Sequence, residues 1–329
     1  MSGTHARRVL GRIAAALVAS LAAIGTTAAL AQTASRFPDK PITWIVGFPP
    51  GGSVDVIARL VAKKIESALG QSVVIDNRPG ASGAIAMGAA ARASPDGYTL
   101  VTVPGPDLSA KAVPELGKEL TGVASLGTGP MVLVGTTASP MPPTLKELLA
   151  LAKASPDKFS FGSSGIGTSQ HLAGELISQM AGAKIAHVPY KGGGQAVTDL
   201  LGGQLPLAVL GIPPVLQHIK SGKLKAYGVS TSSRSSALPD VPSLNEAGLA
   251  GFDANQWYVV ATAAGVPADR IQKLNAAISQ ALKDPEIIAG FVGVGVEPFV
   301  ASPQDTVKFV MNEQKRWRDF AQKAKITLD

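Results

Sequence analysis

The sequence predicts an α/β fold of two domains, each with a mostly parallel sheet flanked by helices. From residue 42 onwards, short β-type runs alternate with runs of helical period, as in β-α-β units. Glycine-bearing turns repeatedly separate a strand from the helix that follows it. Removing residues 1–31 from the 329 leaves 298, which can form one large core or two smaller ones. Of these arrangements we favour two cores.

The N-terminal segment, residues 1–31, has the features of a secretory signal peptide. Its first twelve residues contain three arginines and no acid, and the apolar stretch Ile13–Ile24 and the small-residue triplet Ala29-Leu30-Ala31 follow. The apolar stretch is shorter than the roughly 20 residues of a membrane-spanning helix, which disfavours an uncleaved anchor. We therefore expect cleavage after Ala31 and export to a bacterial periplasm.

The composition disfavours several classes of protein. Without the three arginines of the signal segment, 30 − 3 = 27 basic residues face 23 acidic ones, and a net charge of +4 gives no support to nucleic-acid binding. The sequence has no cysteine, so it can form neither disulfides nor cysteine-ligated metal sites. No two of its four histidines have the spacing of a zinc-binding helix. We therefore expect neither a metal nor a cofactor.

The first domain is expected to begin with a strand, a glycine-bearing turn and a helix. The apolar run Ile42–Phe48 ends at two prolines, which cannot continue a strand ladder, and two glycines follow. In the helix Val54–Leu69, apolar side chains fall on one face and charged ones on the other, and Gly70 is a typical C-terminal stop. The next expected elements are the strand Ser72–Asp76, the helix Ala84–Arg92 and the strand Tyr98–Val103.

A second series of strands and helices begins after Pro130 and repeats this order. The Ser-rich segment Ser230–Ser236 is expected to return the chain to the first domain. Before that connector, the expected elements are the strand Met131–Gly135, the helix Leu145–Ala154, the strand Phe159–Gly162, a helix from about Ser169, the strand Ala186–Pro189, the helix Gln195–Leu201 and the strand Lys225–Ser230. After it, they are the strand Trp257–Ala261 and the helices Ala268–Leu282 and Pro303–Ala324.

Three glycine-bearing turns each precede a helix: Pro50–Ser53, Gly162–Ser169 and Tyr190–Gly194. The first N–H groups of a helix lack intrahelical acceptors and carry the positive end of the helix dipole, so they stabilise a carboxylate or phosphate. One such turn is usually ordinary loop geometry. Three turns on two opposed domains could surround a small anion. The sequence therefore predicts an anion site in a cleft between the domains.

Spacing argues against nucleotide and hydrolase sites at these turns. None of them contains Gly-x-x-x-x-Gly-Lys-Ser/Thr, and Gln170 stands where a dinucleotide-binding fingerprint beginning at Gly165 needs its third glycine. Ser164 would occupy a nucleophile elbow only if Ile166 were glycine. An exported hydrolase or lyase remains the alternative, because catalytic groups can meet through folding rather than through spacing.

Four residues in or near these turns each have a functional and a structural interpretation. His171 could donate an N–H to a ligand or serve in capping and packing. Asp55, in the first turn of its helix, is expected to fix the turn through its N–H groups. Lys191 could contact an anion, although a solvated surface lysine is equally expected. Trp257 could form a wall of the cleft, but an isolated aromatic residue before an apolar strand is more often core.

A set of longer motifs surrounds these turns. They are Phe48-Pro-Pro-Gly-Gly-Ser-Val-Asp55, Asn77-Arg-Pro-Gly-Ala-Ser-Gly83, Ser94-Pro-Asp-Gly-Tyr-Thr-Leu100, Gly162-Ser-Ser-Gly-Ile-Gly-Thr168 with His171, His187-Val-Pro-Tyr-Lys-Gly-Gly-Gly194, Leu238-Pro-Asp-Val-Pro-Ser-Leu-Asn-Glu-Ala-Gly248, Gln256-Trp257, and Glu313, Arg316 and Trp317 of the terminal helix. In this combination the chain resembles the Bug-type family, the substrate-binding proteins of tripartite tricarboxylate transporters. The resemblance covers nearly all of the mature chain.

The resemblance implies a type II-like periplasmic binding protein of the Venus-flytrap kind. Its two domains would close on a small carboxylate and deliver it to the membrane permease subunits of a tripartite tricarboxylate-type transporter, without catalysis. Domain 1 would comprise residues 32–129 and 230–329, and domain 2 residues 130–229; we expect a monomer. The residues expected to bind or brace the ligand are Phe48, Pro50, Gly51, Gly52, Ser53, Asp55, Ser163, Gly167, Thr168, His171, Lys191, Gly192, Gly193, Gly194 and Trp257.

Two segments depart from the family pattern. The segment Pro104–Ala110 is shorter than and unlike the family's usual one, which leaves a second loop of the carboxylate clamp undefined. At Leu210-Gly211-Ile212 the family often has Phe-x-Asp, and without that acid the ammonium group of an amino acid would lack a partner. These departures favour a plain carboxylate, with an aromatic acid as one candidate. A receptor that presents its ligand to a membrane sensor is a second alternative to the transport receptor.

Overall fold

The computed structural model describes residues 37–106, 113–323 and 325–326. The described helices and strands all belong to the compact unit formed by residues 40–329. The predicted signal segment, 1–31, with its cleavage site lies outside the described residues, as do residues 107–110 of the divergent segment.

The N-terminal elements follow the strand-turn-helix order that the sequence predicts. The apolar face of the first helix is buried through Ile57, Val61 and Ile65, and the helix ends at Gly70, whose φ of 66° lies in the left-handed region that glycine adopts easily. The elements are β1 (Ile42–Val46), α1 (Ser53–Leu69), β2 (Val73–Asn77), a 3-10 turn (Ala81–Gly83), α2 (Ala84–Ala91), β3 (Thr99–Gly105) and β4 (Leu120–Thr136).

The remaining elements begin with a helix whose start is fixed by a capping box. The Thr144 hydroxyl accepts from the Glu147 N–H, and the Glu147 carboxylate accepts from the Thr144 N–H. The elements are α3 (Leu145–Ala154), a 3-10 turn (Pro156–Lys158), β5 (Ser160–Ser163), α4 (Ser169–Ala181), β6 (Ala186–Pro189), α5 (Gly193–Leu201), β7 (Leu207–Gly211), α6 (Leu216–Lys220), β8 (Leu224–Val229), β9 (Asn255–Ala263), α7 (Ala268–Ala281), α8 (Pro285–Gly293), β10 (Glu297–Pro298) and α9 (Pro303–Lys323).

The strands form one ten-stranded mixed sheet in the order β2-β1-β3-β9-β4-β7-β5-β6, with β8 and β10 also paired to β4. The consecutive β-α-β units pair in parallel, as predicted: β1 with β2 and β3, and β5 with β6 and β7. Every pairing of β4 and β9 is antiparallel: β9 runs against β3 of the first half, β4 runs against β7 of the second half, and the two strands run against each other. The sheet is therefore α/β but mixed, rather than mostly parallel.

The long strand β4 joins the two halves of the sheet. Its N-terminal part, Leu120–Pro130, pairs with β9, and its C-terminal part, Met131–Thr136, pairs with β7 and β8. The sequence prediction found only Met131–Gly135, because the N-terminal part contains three glycines, which weaken a strand signal. The prediction also missed β7, α6, α8 and β10.

Separate hydrophobic clusters cover the two halves of the sheet. One joins β1, β3 and β9 of the first half through residues such as Ile45, Val101 and Val259. A second covers one face of the other half and includes Phe161 and Leu172, and a third covers the opposite face. The terminal helix α9 takes part in both halves, since Val310 belongs to the first cluster and Trp317 and Ala321 to the second. The division into two domains with separate cores stays a prediction.

The strands β4, β8 and β9 come together close to Ser230. The Ser230 hydroxyl donates to the Ala254 carbonyl oxygen at 2.5 Å and accepts from the Met131 N–H at 2.8 Å. The Ser230 N–H donates to the Met131 carbonyl oxygen at 2.8 Å. Because Ser230 is 1% exposed, water cannot replace these bonds. This side chain therefore ties β4, at the point where that strand passes from one half to the other, to the end of β8 and to the residue before β9.

Replacing Ser230 by alanine should lower the free energy of unfolding by about 2 kcal/mol, because it leaves two buried backbone groups without this partner. Urea denaturation measures the change. Ser221→Ala is the matched control, since the exposed Ser221 hydroxyl bonds only to His218 in its own turn. Equal effects of the two substitutions would contradict the role given to Ser230.

Candidate functional site

A cleft lies between the two halves of the sheet, beyond the carboxyl ends of the parallel strands, where α/β folds commonly bind ligands. None of the described residues that line it has a charged side chain. The lining residues are Phe48, Gly52, Ser53, Val54, Ser82, Pro104, Gly105, Pro106, Ser164, Thr168, Ser169, Gln170, Gly193, Leu210, Pro214, Gln256 and Tyr258.

The cleft is narrow. It contains about 520 Å³ of space not filled by atoms, counting its open mouth, but a water-sized sphere can place its centre in only about 30 Å³ of it. Such a space holds about two water molecules. A larger ligand can therefore enter only if the two walls separate and close again around it.

The first wall is built from the turn between β1 and α1. The helix begins after Gly52, which has no side-chain cap, and its first internal hydrogen bond runs from the Val56 N–H to the Gly52 carbonyl oxygen at 3.0 Å. The N–H groups of Ser53 and Val54 precede that bond, so they have no acceptor within the helix. Both residues line the cleft. The positive end of the helix dipole thus faces the cleft.

Asp55 braces this turn from behind and does not line the cleft. Its carboxylate accepts from the Gly51 N–H at 3.0 Å, from the Arg59 Nε at 2.9 Å and from the Asn77 Nδ2 at 2.9 Å. Asn77 also donates to the Phe48 carbonyl oxygen at 2.9 Å. Burial by itself would raise the pKa of Asp55, but the hydrogen bonds from Arg59, Gly51 and Asn77 outweigh it, and the pKa is lowered.

The second wall is the loop between β5 and α4, which is held by its own hydrogen bonds. The Thr168 hydroxyl caps α4 and donates to the Gly165 carbonyl oxygen at 2.7 Å. The Gln170 side-chain oxygen accepts from the Ser164 N–H at 3.0 Å and from its hydroxyl at 2.6 Å. The Gly167 N–H donates to Nδ1 of His171 at 3.1 Å. The N-terminus of α4 is therefore fixed against the cleft.

Two stacked histidines lie behind this loop. The rings of His171 and His187 are 4.0 Å apart, and burial lowers the pKa of His171 to about 4. Burial, together with the charge of His171, lowers the pKa of His187 to about 3. Both rings are therefore neutral at neutral pH. His171 braces the loop through Nδ1, and it is not among the residues that line the cleft; its Nε2 lies 3.7 Å from the Glu175 carboxylate.

Folding does bring a serine and a histidine together. The Ser163 hydroxyl lies 2.7 Å from Nε2 of His187, a contact that sequence spacing did not reveal. However, Ser163 is fully buried, does not line the cleft and also donates to the Gly165 carbonyl oxygen at 3.1 Å. A substrate in the cleft could not reach this hydroxyl, so the pair stabilises the loop instead of forming a hydrolase site.

The third turn contributes the N-terminus of α5. Gly193 begins this helix and lines the cleft, while Gly192 is buried against Pro49 of the first wall. Lys191 and Gly194 are exposed and do not belong to the described lining. The turn therefore places a third helix N-terminus at the cleft, whereas the charged side chain of Lys191 lies outside the lining.

Strand β9 directs alternate side chains to opposite faces, which decides how Trp257 and its neighbours are placed. Gln256 and Tyr258 line the cleft, whereas Trp257 lies in the core, with its ring 5.7 Å from that of Phe309. Burial raises the pKa of Tyr258, and the nearby Ser53 hydroxyl lowers it by less. No well-aligned hydrogen-bond partner for the Tyr258 hydroxyl occurs among the described residues.

The residues predicted from the sequence thus fall into three groups. Those that line the cleft are Phe48, Gly52, Ser53, Thr168 and Gly193. Those that lie behind it or at its edge are Asp55, Ser163, Gly167, His171 and Gly192. The others, also outside the described lining, are Pro50, Gly51, Lys191, Gly194 and Trp257. The part of all fifteen residues in ligand binding stays a prediction.

Sequence reasoning missed several lining residues. Pro104, Pro106 and Leu210 belong to the two segments that depart from the family pattern, so the departure itself was a signal. Gln256 and Tyr258 could have been found from the alternation of strand side chains around Trp257. Ser82 belongs to the family motif Asn77–Gly83, but the motif did not predict its contact with the opposite wall, because only the fold brings the two loops together.

Comparison with known proteins identifies the family. The sequence matches the family described as Tripartite tricarboxylate transporter family receptor over residues 57–326. The chain belongs to this family. It is similar to Protein BugT of Bordetella pertussis, with 38% identity over 315 residues that cover 90% of this chain and 94% of that protein. The predicted kind of protein, a solute receptor and not an enzyme, is confirmed.

Solved structures agree with this membership of the receptor family. The periplasmic binding protein BugD has a TM-score of 0.84 and 31% identity, with coverage of 88% of this chain and 99% of BugD. An R. palustris protein with adipate has a TM-score of 0.84 and 30% identity, with coverage of 88% of this chain and 98% of that one. The predicted fold class, that of a two-domain periplasmic binding protein, is confirmed.

The described residues also show whether the chain has a membrane-spanning helix or a metal site. Within the described parts of the receptor chain, no helix is long and apolar enough to cross a membrane. Over the same residues, no group of three or more His, Cys, Asp or Glu side chains is placed to hold a metal ion.

Asp55→Asn should lower the free energy of unfolding of the receptor by about 2 kcal/mol at pH 7, because the buried turn loses a charged acceptor. The pKa of Asp55 in the folded state lies below its ordinary value of 3.8. Its contribution is therefore fully present above that pH and is lost as the pH falls through the folded-state pKa. Urea denaturation from pH 7 to pH 3 measures the difference between wild type and variant.

The matched control for Asp55→Asn is Asp157→Asn, which changes an exposed acid in the 3-10 turn before β5. It should change stability by less than about 0.5 kcal/mol. A deficit of Asp55→Asn that stays constant down to pH 3 would show that the charge of Asp55 does not hold the turn.

Proposed function

We propose that the protein is a periplasmic receptor that binds a small carboxylate in this cleft and delivers it to a tripartite tricarboxylate-type permease. The observation that carries the proposal is the meeting of three helix N-termini, those of α1, α4 and α5, in a cleft without charged side chains among its described lining residues. The helices come from both walls. Their N–H groups and dipoles favour an anion enclosed between the walls.

The energetics agree with binding through neutral groups. A hydrogen bond to a charged group contributes about 1.5 to 3 kcal/mol. Four or five of them, less the cost of ordering the ligand, approach the roughly 8 kcal/mol of micromolar binding. The Tyr258 hydroxyl is an additional buried donor that faces the cleft.

The lining also supports the class of ligand. No carboxylate occurs among its described residues, so the ammonium group of an amino acid would be buried without a partner. Phe48, Pro106 and Leu210 offer apolar contacts to the rest of the ligand. The adipate in the R. palustris relative is a dicarboxylate without an ammonium group. A plain organic acid, aliphatic or aromatic, suits this combination.

Binding would proceed by closure of two domains about the crossing strands. The proposed boundaries lie at residues 129–130 and 229–230, next to Met131 and Ser230, whose hydrogen bonds tie the strands together. A hinge at such points can change the separation of the walls without unfolding either half. The narrowness of the cleft supports this motion, because a ligand must otherwise displace the walls themselves.

A thermal-shift screen of mono-, di- and tricarboxylates at millimolar concentration should find at least one that raises the melting temperature of the mature protein, because binding only to the native state increases apparent stability. Adipate is the first ligand to try. Amino acids of similar length should give smaller shifts. Flat melting curves with every carboxylate would overturn the proposal.

Gly52→Leu should abolish that shift. Gly52 has an ordinary extended backbone conformation, and the nearest atom to a Cβ there is the Pro49 carbonyl oxygen at 3.7 Å, so a side chain can project into the cleft without backbone strain. Gly293→Leu is the matched control, since Gly293 is exposed and a Cβ there meets no atom within 4 Å. If Gly52→Leu keeps the full ligand shift, the carboxylate does not bind at the N-terminus of α1.

The export part of the proposal predicts a mature N-terminus at Gln32. Mass spectrometry of the intact protein from a periplasmic extract measures it. Ala31→Asp should impair processing, because signal cleavage requires a small residue before the cut. Ala34→Asp, two residues beyond the expected cleavage site, is the control for the added charge. Recovery of wild-type protein only from the cytoplasm, with residues 1–31 intact, would contradict export.

A further inference from the structure

One hydrogen bond crosses the cleft between the two walls. The Ser82 hydroxyl, on the loop after β2, donates to the Ile166 carbonyl oxygen in the loop before α4 at 2.8 Å. The same hydroxyl packs against Gly165, where an added Cβ would lie only 2.6 Å from Ser82 Oγ. Gly165 thus allows the two loops to approach closely.

The loop that carries Ser82 is held in an uncommon conformation. Ala81 and Ser82 have φ angles of 48° and 54°, in the left-handed region that non-glycine residues rarely adopt. The loop is fixed to β1, because the Arg78 N–H donates to the Val46 carbonyl oxygen at 2.8 Å. Gly47 lies so close that an added Cβ would be 2.7 Å from the Gly83 Cα. Such local strain commonly marks a functional position.

A second contact crosses the cleft beside the first. An added Cβ at Gly192 would lie 2.7 Å from the Pro49 Cδ, so the third turn of the second wall rests directly on the prolines of the first. The walls are therefore in contact through the Ser82–Ile166 hydrogen bond and the Pro49–Gly192 packing, and Gly211 of β7 also lies close to the Ser53 side chain.

We propose that the Ser82–Ile166 and Pro49–Gly192 contacts form a latch that holds the cleft closed, and that Ser82 governs how long a ligand is retained. A hydroxyl has one hydrogen, and that of Ser82 is donated to Ile166, so it cannot also be donated to a carboxylate. Ser82 is thus a positioning residue. The inference rests on the proposed function in one respect, since closure can retain a ligand only if the cleft binds one.

The population of closed molecules can be measured by single-molecule fluorescence energy transfer. The chain has no cysteine, so Ser67→Cys and Asp157→Cys, at exposed positions on opposite halves, supply two unique labelling sites. In this background, Ser82→Ala should shift the ligand-free distribution towards lower transfer, which reports separated walls. Ser221→Ala is the control and should leave the distribution unchanged. An unchanged distribution for Ser82→Ala would overturn the latch, whatever the protein binds.

The Pro49–Gly192 contact gives a second, steric test. Gly192→Ala should also favour separated walls, because its methyl group occupies the space of the Pro49 ring. Pro49→Ala in the same molecule removes the ring atoms that clash and should restore the closed population. If Gly192→Ala opens the cleft equally with and without Pro49→Ala, the effect is local to the turn and this contact does not latch the walls.

Ligand kinetics separate the latch from the receptor function. With adipate as the probe, Ser82→Ala should raise the dissociation rate roughly fivefold, the effect expected for one hydrogen bond, with little change in the association rate. If the wild type binds neither adipate nor any other carboxylate, the receptor proposal is wrong. The fluorescence distributions would still show whether the latch holds the cleft closed. A changed association rate with an unchanged dissociation rate would overturn the role given to Ser82.

Discussion

The buried carboxylate of Asp55 is the constraint on which the first wall of the cleft depends. The turn after β1 contains two prolines and two glycines, so few of its backbone groups can be held by a strand or a helix. Asp55 supplies the missing acceptor to Gly51, and Asn77 ties the turn to β2 through Phe48. As a result, the N–H groups at the start of α1 face the cleft in a fixed direction. An anion site made of backbone groups requires that direction to be set before the ligand arrives.

The second wall also has a helix N-terminus that is held in a fixed direction, but by different residues. Thr168, Gln170 and His171 hold the loop before α4, and burial keeps His171 neutral. Helix dipoles therefore replace charged side chains on both walls, which suits a receptor that must release its ligand as well as bind it. Charged pairs buried at such a site would be costly to separate. Because the interactions with the ligand are weaker and shared among several groups, the contacts that close the cleft would determine how long the ligand stays bound.

Much of the fold could be predicted from the sequence, because α1 and the β-α-β units have strong local patterns. The N-terminal part of β4 could not, since its three glycines and Pro130 weaken the strand signal and the strand is held by pairing with β9. The same distinction holds at the site. The local sequence at Gly52 and Ser53 predicts a helix N-terminus, whereas Ser82 reaches the cleft only through tertiary packing. Trp257 was placed beside the cleft by its motif, but the alternation of β9 directs its ring into the core.

The N-terminus of α1 is proposed to bind the ligand's carboxylate through backbone N–H groups. A crystal structure of the mature protein with the carboxylate that binds most tightly tests this most directly. Carboxylate oxygens should lie within about 3.2 Å of backbone nitrogens in the segment Gly52–Val54, with the loop before α4 closed over the ligand. A carboxylate bound instead to a charged side chain, or outside the cleft, would contradict it.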